Sequence, residues 1–207
     1  MVADSIARTP LAETAMTALS PHLFSSFDQN GVVRHGLPSG AYTSPDFFTL
    51  EASQVFAKSW TFVGFAHDLA NVGDVRPIRV AGTPLLLVRS ADRKIRAFHN
   101  VCRHRNLKLV KEPRNCKSTI TCPYHRWSYD LEGRLKAAPY FGGEKTALPE
   151  GCKLEDHGLH EVRCGQLHDW LFVNISGDAP SFESHTEPLR KQLESFNLDD
   201  FTAVASL

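Results

Sequence analysis

Two short stretches, "VCRHRN" (Val101 to Asn106) and "TCPYHRW" (Thr121 to Trp127), each set a cysteine two or three residues before a histidine, with seventeen residues between His104 and Cys122. Each stretch offers one thiolate and one imidazole, so the fold must bring two loops together if the four are to serve one centre. Four such donors can hold one tetrahedral zinc, yet zinc frameworks usually pair cysteine with cysteine and histidine with histidine at two-to-five-residue spacing. A mixed C-x-H and C-x-x-H pair suits instead a diiron centre with inequivalent ends, two thiolates on one iron and two imidazoles on the other. The chain has five cysteines, an odd number, and no secretory signal, which favours thiolate chemistry or metal ligation over a disulfide framework. Cys116, Cys152 and Cys164 lie in no motif and are expected to be small buried hydrophobes.

The rest of the sequence describes the scaffold. Residues 1–43 are punctuated by Ser, Thr and Pro, with a short helix suggested near Leu11 to Leu19, and read as an N-terminal arm. Ser44 as cap, Pro45 at the first helical position and Phe48, Ala52, Val55 and Phe56 at helical spacing predict a helix packed on a sheet. From Trp60 the pattern changes to short apolar runs cut by turn residues, with strands predicted in "WTFVGF", "DVRPIRVAG", "PLLLVR", "IRAFHNV", "STITC", "WSYDLEGRLK" and "HDWLFVNIS". Hairpin turns are expected at "SADRK" and at Glu132-Gly133. After Gly177 a helical pattern returns, with Leu189, Leu193 and Phe196 on one side. The domain reading is an arm over 1–43, a helix plus a mainly β domain over 44–180, and a helical linker over 181–207. Charge is balanced, with 23 Lys and Arg against 23 Asp and Glu, which argues against nucleic acid or an anionic membrane as partner. No apolar run reaches the roughly 20 residues of a membrane span, and the N-terminus lacks a targeting pattern, so a cytoplasmic location is expected.

The matching text extends beyond four ligands. "FHNVCRHR" and "CPYHRWSYDLEGRL", the lead-in "LPSGAYTSPDFFTLEASQVFAKSWTFVG" and the closing "HDWLFVNISGDAP" resemble the N-terminal Rieske [2Fe-2S] domain of the Rieske non-haem iron oxygenases, of the ring-hydroxylating dioxygenase α-subunit type. The resemblance covers roughly residues 37 to 190. It implies a fold that is mainly β with short helices, built of stacked antiparallel sheets with two cluster-binding loops. It further implies that Cys102 and Cys122 hold the inner iron and that His104 and His125 hold the outer, more exposed iron, where electrons enter and leave. Respiratory Rieske proteins carry a loop disulfide and a serine donor at positions that here correspond to Leu107, Tyr124 and Trp127. Their absence places the expected potential low in the Rieske range, roughly −150 mV to near zero.

Around the ligands, Tyr129 suits either a hydrogen bond to a ligand sulfur or ordinary strand packing, and Trp127 reads as packing over the cluster loop. Tyr124 and Arg126 are further neighbours of the centre. Arg126 departs from the family, which usually has glycine there, so the loop is expected to be strained or differently turned. The Arg126 charge either raises the potential or is simply solvated. His157 and His160 read as a surface turn, and His99, His168 and His185 as structural or solvent-facing.

Oxygenase α-subunits continue into a catalytic domain whose mononuclear Fe(II) is held by two histidines and a carboxylate. The family's D-x-x-H-x-x-x-x-H source of those ligands does not occur in these 207 residues. The expected role is therefore an electron relay from a ferredoxin or flavin reductase to a mononuclear iron in a missing or partner catalytic domain or subunit, with a homotrimer if full length. By resemblance the chain is an oxidoreductase of the dioxygenase or monooxygenase type, acting on aromatic rings or quaternary amines. A stand-alone Rieske ferredoxin and a zinc-bound structural module are the alternatives.

Overall fold

The computed structural model describes residues 36–37 and 39–198, and the helix suggested near Leu11 to Leu19 lies outside them. The described residues fall into two units, divided between Val55 and Phe56. In the first unit, α1 (Ser39–Thr43) is followed by α2 (Pro45–Glu51). Ser44 caps α2, its hydroxyl accepting from the Phe47 N–H at 3.3 Å, and Pro45 starts the helix where a missing N–H costs nothing.

The second unit is two antiparallel sheets. The larger contains β1 (Thr61–Phe65), β2 (Asp74–Val80), β3 (Thr83–Arg89), β4 (Ile95–His99), β5 (Arg114–Asn115), β9 (Glu161–Leu167) and β10 (Trp170–Asn174), in the order β1-β10-β9-β4-β3-β2-β5. The smaller is β6 (Ile120–Thr121), β7 (Ser128–Tyr129) and β8 (Leu135–Ala137). The uninterrupted "LLLV" of β3 is explained by burial on both faces. Leu86 and Val88 face the core shared with Ile120, Tyr129 and Leu135 of the small sheet, while Leu85 and Leu87 face a second core with Ala97, Val162, Leu171 and Val173. Period-2 alternation thus makes one strand the floor of two cores.

Both expected turns form. Ser90 N–H donates to the Lys94 carbonyl at 2.8 Å, and Asp130 N–H to the Arg134 carbonyl at 2.9 Å. Gly133 is required in the second turn. Its φ is +80°, and a Cβ there would stand 2.5 Å from the Phe98 ring. The two turns are tied together, the Ser90 hydroxyl donating to the Leu131 carbonyl at 2.8 Å, which fixes the small sheet against the large one. After β10, α3 (Phe182–Leu193) is capped by Ser181, whose hydroxyl accepts from the Ser184 N–H at 3.1 Å. It docks through Phe182 against Gly165 and edge-on to Trp60, with ring centroids 4.9 Å apart. Its packed face begins at Phe182 and Thr186 rather than at Leu189, and Phe196 is exposed.

Candidate metal centre

The two Cys-His stretches fold into loops of one design. The first is closed by the pairing of Val101 with Lys108, the second by the pairing of Thr121 with Ser128, so each holds six residues and begins at its cysteine. Cys102 N–H donates to the Leu107 carbonyl and Cys122 N–H to the Trp127 carbonyl, both at 2.8 Å. Back-bonds from Asn106 N–H to the Cys102 carbonyl (2.9 Å) and from Arg126 N–H to the Cys122 carbonyl (3.2 Å) complete each turn. The fifth residue is left-handed in both, with φ +55° at Asn106 and +62° at Arg126. The position where glycine was expected therefore has the backbone that favours glycine, and Arg126 adopts it with a strain of about 1 kcal/mol. Asn100, fully buried, brackets the first loop by donating to the Val110 carbonyl at 2.8 Å and accepting from the Val110 N–H at 3.0 Å.

The loops bring the four candidate donors together by type. Cys102 and Cys122 are buried free thiols close enough to interact. Burial raises the Cys122 pKa, opposed by the Tyr124 and His125 backbone N–H groups that point at its sulfur, and Cys102 adds to the rise. Cys122, buried beside a second thiol, resists ionising unless a cation offsets its charge. His104 and His125 form a second pair, with ring centroids 4.7 Å apart, and both are half-exposed. Burial, then His125 and Arg105, lower the His104 pKa, so the neutral, ligating form of its ring is favoured. No three His, Cys, Asp or Glu side chains among the described residues converge as one metal ion would need. A two-plus-two set, thiols inside and imidazoles outside, fits a two-iron group better than a single tetrahedral ion.

The neighbours divide between the two ends. Tyr129 is fully buried, and its hydroxyl lies 3.3 Å from Cys102 Sγ while accepting from the Arg103 N–H at 3.0 Å. The hydroxyl can give its proton to that sulfur when Cys102 is a thiolate. Burial, and secondarily Cys102, raise the Tyr129 pKa and keep that proton in place. The residue thus serves both strand packing and the Cys102 sulfur. Trp127, also buried, stacks on His104 with centroids 4.8 Å apart and planes 5° apart, fixing the ring orientation. Tyr124 lies over His125, with centroids 3.7 Å apart, and is 58% exposed. Among the described residues, the buried side-chain N–H groups without an acceptor are Arg103 Nε and Trp127 Nε1. Both belong to these loops, where a group bearing acceptor atoms would satisfy them.

Sequence reasoning missed the Phe141 and His157 side of the site. Phe141 stands edge-on to His104 and Trp127, and His157 edge-on to Trp127 and Phe141. His157 is half-buried rather than a surface residue, its Nε2 3.1 Å from Cys152 Sγ, whereas His160 is exposed and contacts Arg103. The ring contacts join residues 14 to 37 positions apart, which no local spacing reveals. Cys116 and Cys152 are half-buried, and Cys164, at the edge of the sheet core, has its thiol pushed up to about 12 by burial.

Comparison with known proteins matches residues 59–149 to the Rieske [2Fe-2S] domain family. The chain is 32% identical over 171 residues to a glycine betaine monooxygenase oxygenase subunit of Chromohalobacter salexigens, covering 83% of this chain and 37% of that protein. It is 37% identical over 155 residues to a 2-aminobenzenesulfonate 2,3-dioxygenase α subunit of Alcaligenes sp, covering 74% and 38%. The fold is similar to that of the quaternary ammonium Rieske monooxygenase CntA, with TM-score 0.73, 28% identity, and coverage of 84% of this chain and 48% of that one. The chain therefore spans less than half the length of these relatives.

Proposed function

Since residues 59–149 are a Rieske [2Fe-2S] domain of the kind found in ring-hydroxylating-type oxygenase subunits, we propose that the chain relays single electrons from a ferredoxin or flavin reductase to a mononuclear iron in an oxygenase catalytic domain or subunit. In this reading Cys102 and Cys122 hold one iron, and His104 and His125 the other. A [2Fe-2S] group held there stores one electron at a time. The chain's own residues do the rest. The buried cysteines supply the thiolates of the inner end with the Tyr129 hydroxyl beside Cys102, Trp127 and Tyr124 orient the imidazoles, and the half-exposed histidines form the end that a partner can approach. The observation that carries the reading is the sorting of donors by type, two thiols buried together and two imidazoles together near the surface.

The whole protein is read as an oxygenase of the cytoplasm, assembled as a homotrimer, with a quaternary amine or an aromatic ring as substrate. Among the described residues no helix is long and apolar enough to cross a membrane. Absorption and paramagnetic resonance spectra of the anaerobically purified or reconstituted chain test the relay reading. The expected result is the signature of a mixed thiolate–imidazole [2Fe-2S] centre, lost in Cys102→Ser and in His125→Ala. A colourless protein that retains stoichiometric zinc overturns it.

A further inference from the structure

Of the five cysteines, Cys102 and Cys122 lie in the core, and Cys116 and Cys164 pack against core clusters. Cys152 belongs to no apolar cluster among the described residues, so the burial of a small hydrophobe does not explain it. It is half-buried, with its sulfur 3.1 Å from Nε2 of His157. Two local turns make that contact. The Cys152 N–H donates to the Pro149 carbonyl at 3.0 Å, Gly151 has φ +74°, and a single 3-10 turn, Leu154–His157, brings the imidazole back to the sulfur. The His157 ring is held edge-on to Trp127 and to Phe141, each with centroids 5.7 Å away. Aromatic packing therefore sets the ring orientation, and the thiol meets an imidazole already in place. A partly open thiol beside an imidazole fixed in this way is the arrangement of an activated nucleophile.

We propose that Cys152 is a thiol–disulfide exchange site, with His157 as its base, that takes small neutral or cationic disulfides. The Cys152 proton passes to Nε2 of His157, and the thiolate sulfur attacks one sulfur of the disulfide. The S–S bond of that molecule breaks as the mixed disulfide forms, and the leaving thiolate recovers the proton from the imidazolium. Cys152 is oxidised and the released thiol is the reduced half of the co-reactant. The charge preference follows from the surroundings. Glu150, Glu155 and Asp156 stand against Lys153 alone between positions 150 and 157, all four exposed and none in an ion pair among the described residues. An anionic disulfide is repelled there. The adduct sits one ring away from a candidate donor, since His157 touches Trp127 and Trp127 stacks on His104. Neither Cys152 nor His157 is among the four candidate donors, so the exchange does not depend on the relay reading.

The test uses the full chain, purified anaerobically, with cystamine as the cationic probe and glutathione disulfide as the anionic one. Peptide mapping by mass spectrometry times the adduct at each cysteine. At about pH 7 Cys152 should form the cystamine adduct about tenfold faster than Cys116, which is also half-buried but has no imidazole at its sulfur among the described residues. His157→Gln should remove most of that advantage, with the Cys116 rate and the circular dichroism spectrum unchanged. The two chains should converge near about pH 9, where hydroxide takes the proton unaided. A loss that persists at that pH overturns the assignment of His157 as base. Relative to a neutral cysteine amide, Cys152 should prefer cystamine over glutathione disulfide about threefold or more at about 20 mM salt, and less so at about 300 mM. Equal rates at Cys152 and Cys116 in the parent chain, a comparison that needs no variant to fold, overturn the exchange site. A preference for glutathione disulfide overturns its charge class.

Discussion

Replacing Tyr129 with Phe removes one oxygen atom from a fully buried site and leaves the ring in place. Two interactions go with it, the 3.3 Å contact to Cys102 Sγ and the 3.0 Å bond accepted from the Arg103 N–H. A hydrogen bond to a charged acceptor contributes about 1.5–3 kcal/mol, but the potential senses only the difference between the two redox states. If the bond is stronger by about 1 kcal/mol when the Cys102 sulfur is more negative, as in the reduced state of the proposed centre, the oxidised state gains relative stability in the variant. The midpoint potential then falls by about 40 mV, since about 59 mV corresponds to 1.4 kcal/mol for one electron. The Arg103 N–H is half-buried and loses its acceptor, which costs about 1 kcal/mol of stability in addition. Redox titration followed by circular dichroism or paramagnetic resonance reads the first effect, and chemical denaturation of the cluster-free chain reads the second. A potential within about 10 mV of the parent, with the spectrum intact, would refute the assignment of the phenolic proton to the sulfur.

Arg126→Gly should be neutral to about 1 kcal/mol stabilising in denaturation, because relief of left-handed strain outweighs or cancels the added chain entropy, whereas Arg126→Val should cost about 1–2 kcal/mol. Being exposed, the Arg126 charge is solvated, and the glycine variant should shift the potential by less than about 15 mV. At pH 8 the Cys164 thiolate fraction is about a thousandfold below that of an ordinary cysteine, so iodoacetamide mapping by mass spectrometry should find it among the last thiols to react in the folded chain. Burial, then His160, depress the His99 pKa, so the unfolded chain binds its proton more readily. His99 therefore costs stability as pH falls below about 6.5, until its folded-state pKa is passed, and is neutral above. Parent-minus-variant melting curves with His99→Gln should diverge only on the acid side, and equal divergence at pH 8 would contradict this.

Legibility in the sequence followed the physical range of each signal. The Ser44-Pro45 start of α2, the "LLLV" run and the Glu132-Gly133 turn are local, and each formed where its residues predicted. Strand β9 was not foreseen because "EVRCGQL" breaks its apolar alternation with Arg163, Gly165 and Gln166. Gly165 is there to leave room for the Phe182 ring, a reason that exists only once α3 has docked. Strand β5, two exposed residues long, exists only through its pairing with β2. At the candidate centre, donor types and spacing were readable because the chemistry demands them. Trp127 stacked flat on His104, and the Phe141 and His157 edges around it, depend on long-range packing. The left-handed backbone at Arg126 could be suspected from a missing glycine, but its counterpart at Asn106 shows it to be a rule of both loops.

Each loop is closed by its own backbone hydrogen bonds and by a strand pairing at its base, so the backbone contacts that present the four candidate donors are made within segments 101–108 and 121–128. Either segment moved into another chain would carry its cysteine, its histidine and the bonds that space them as one cassette.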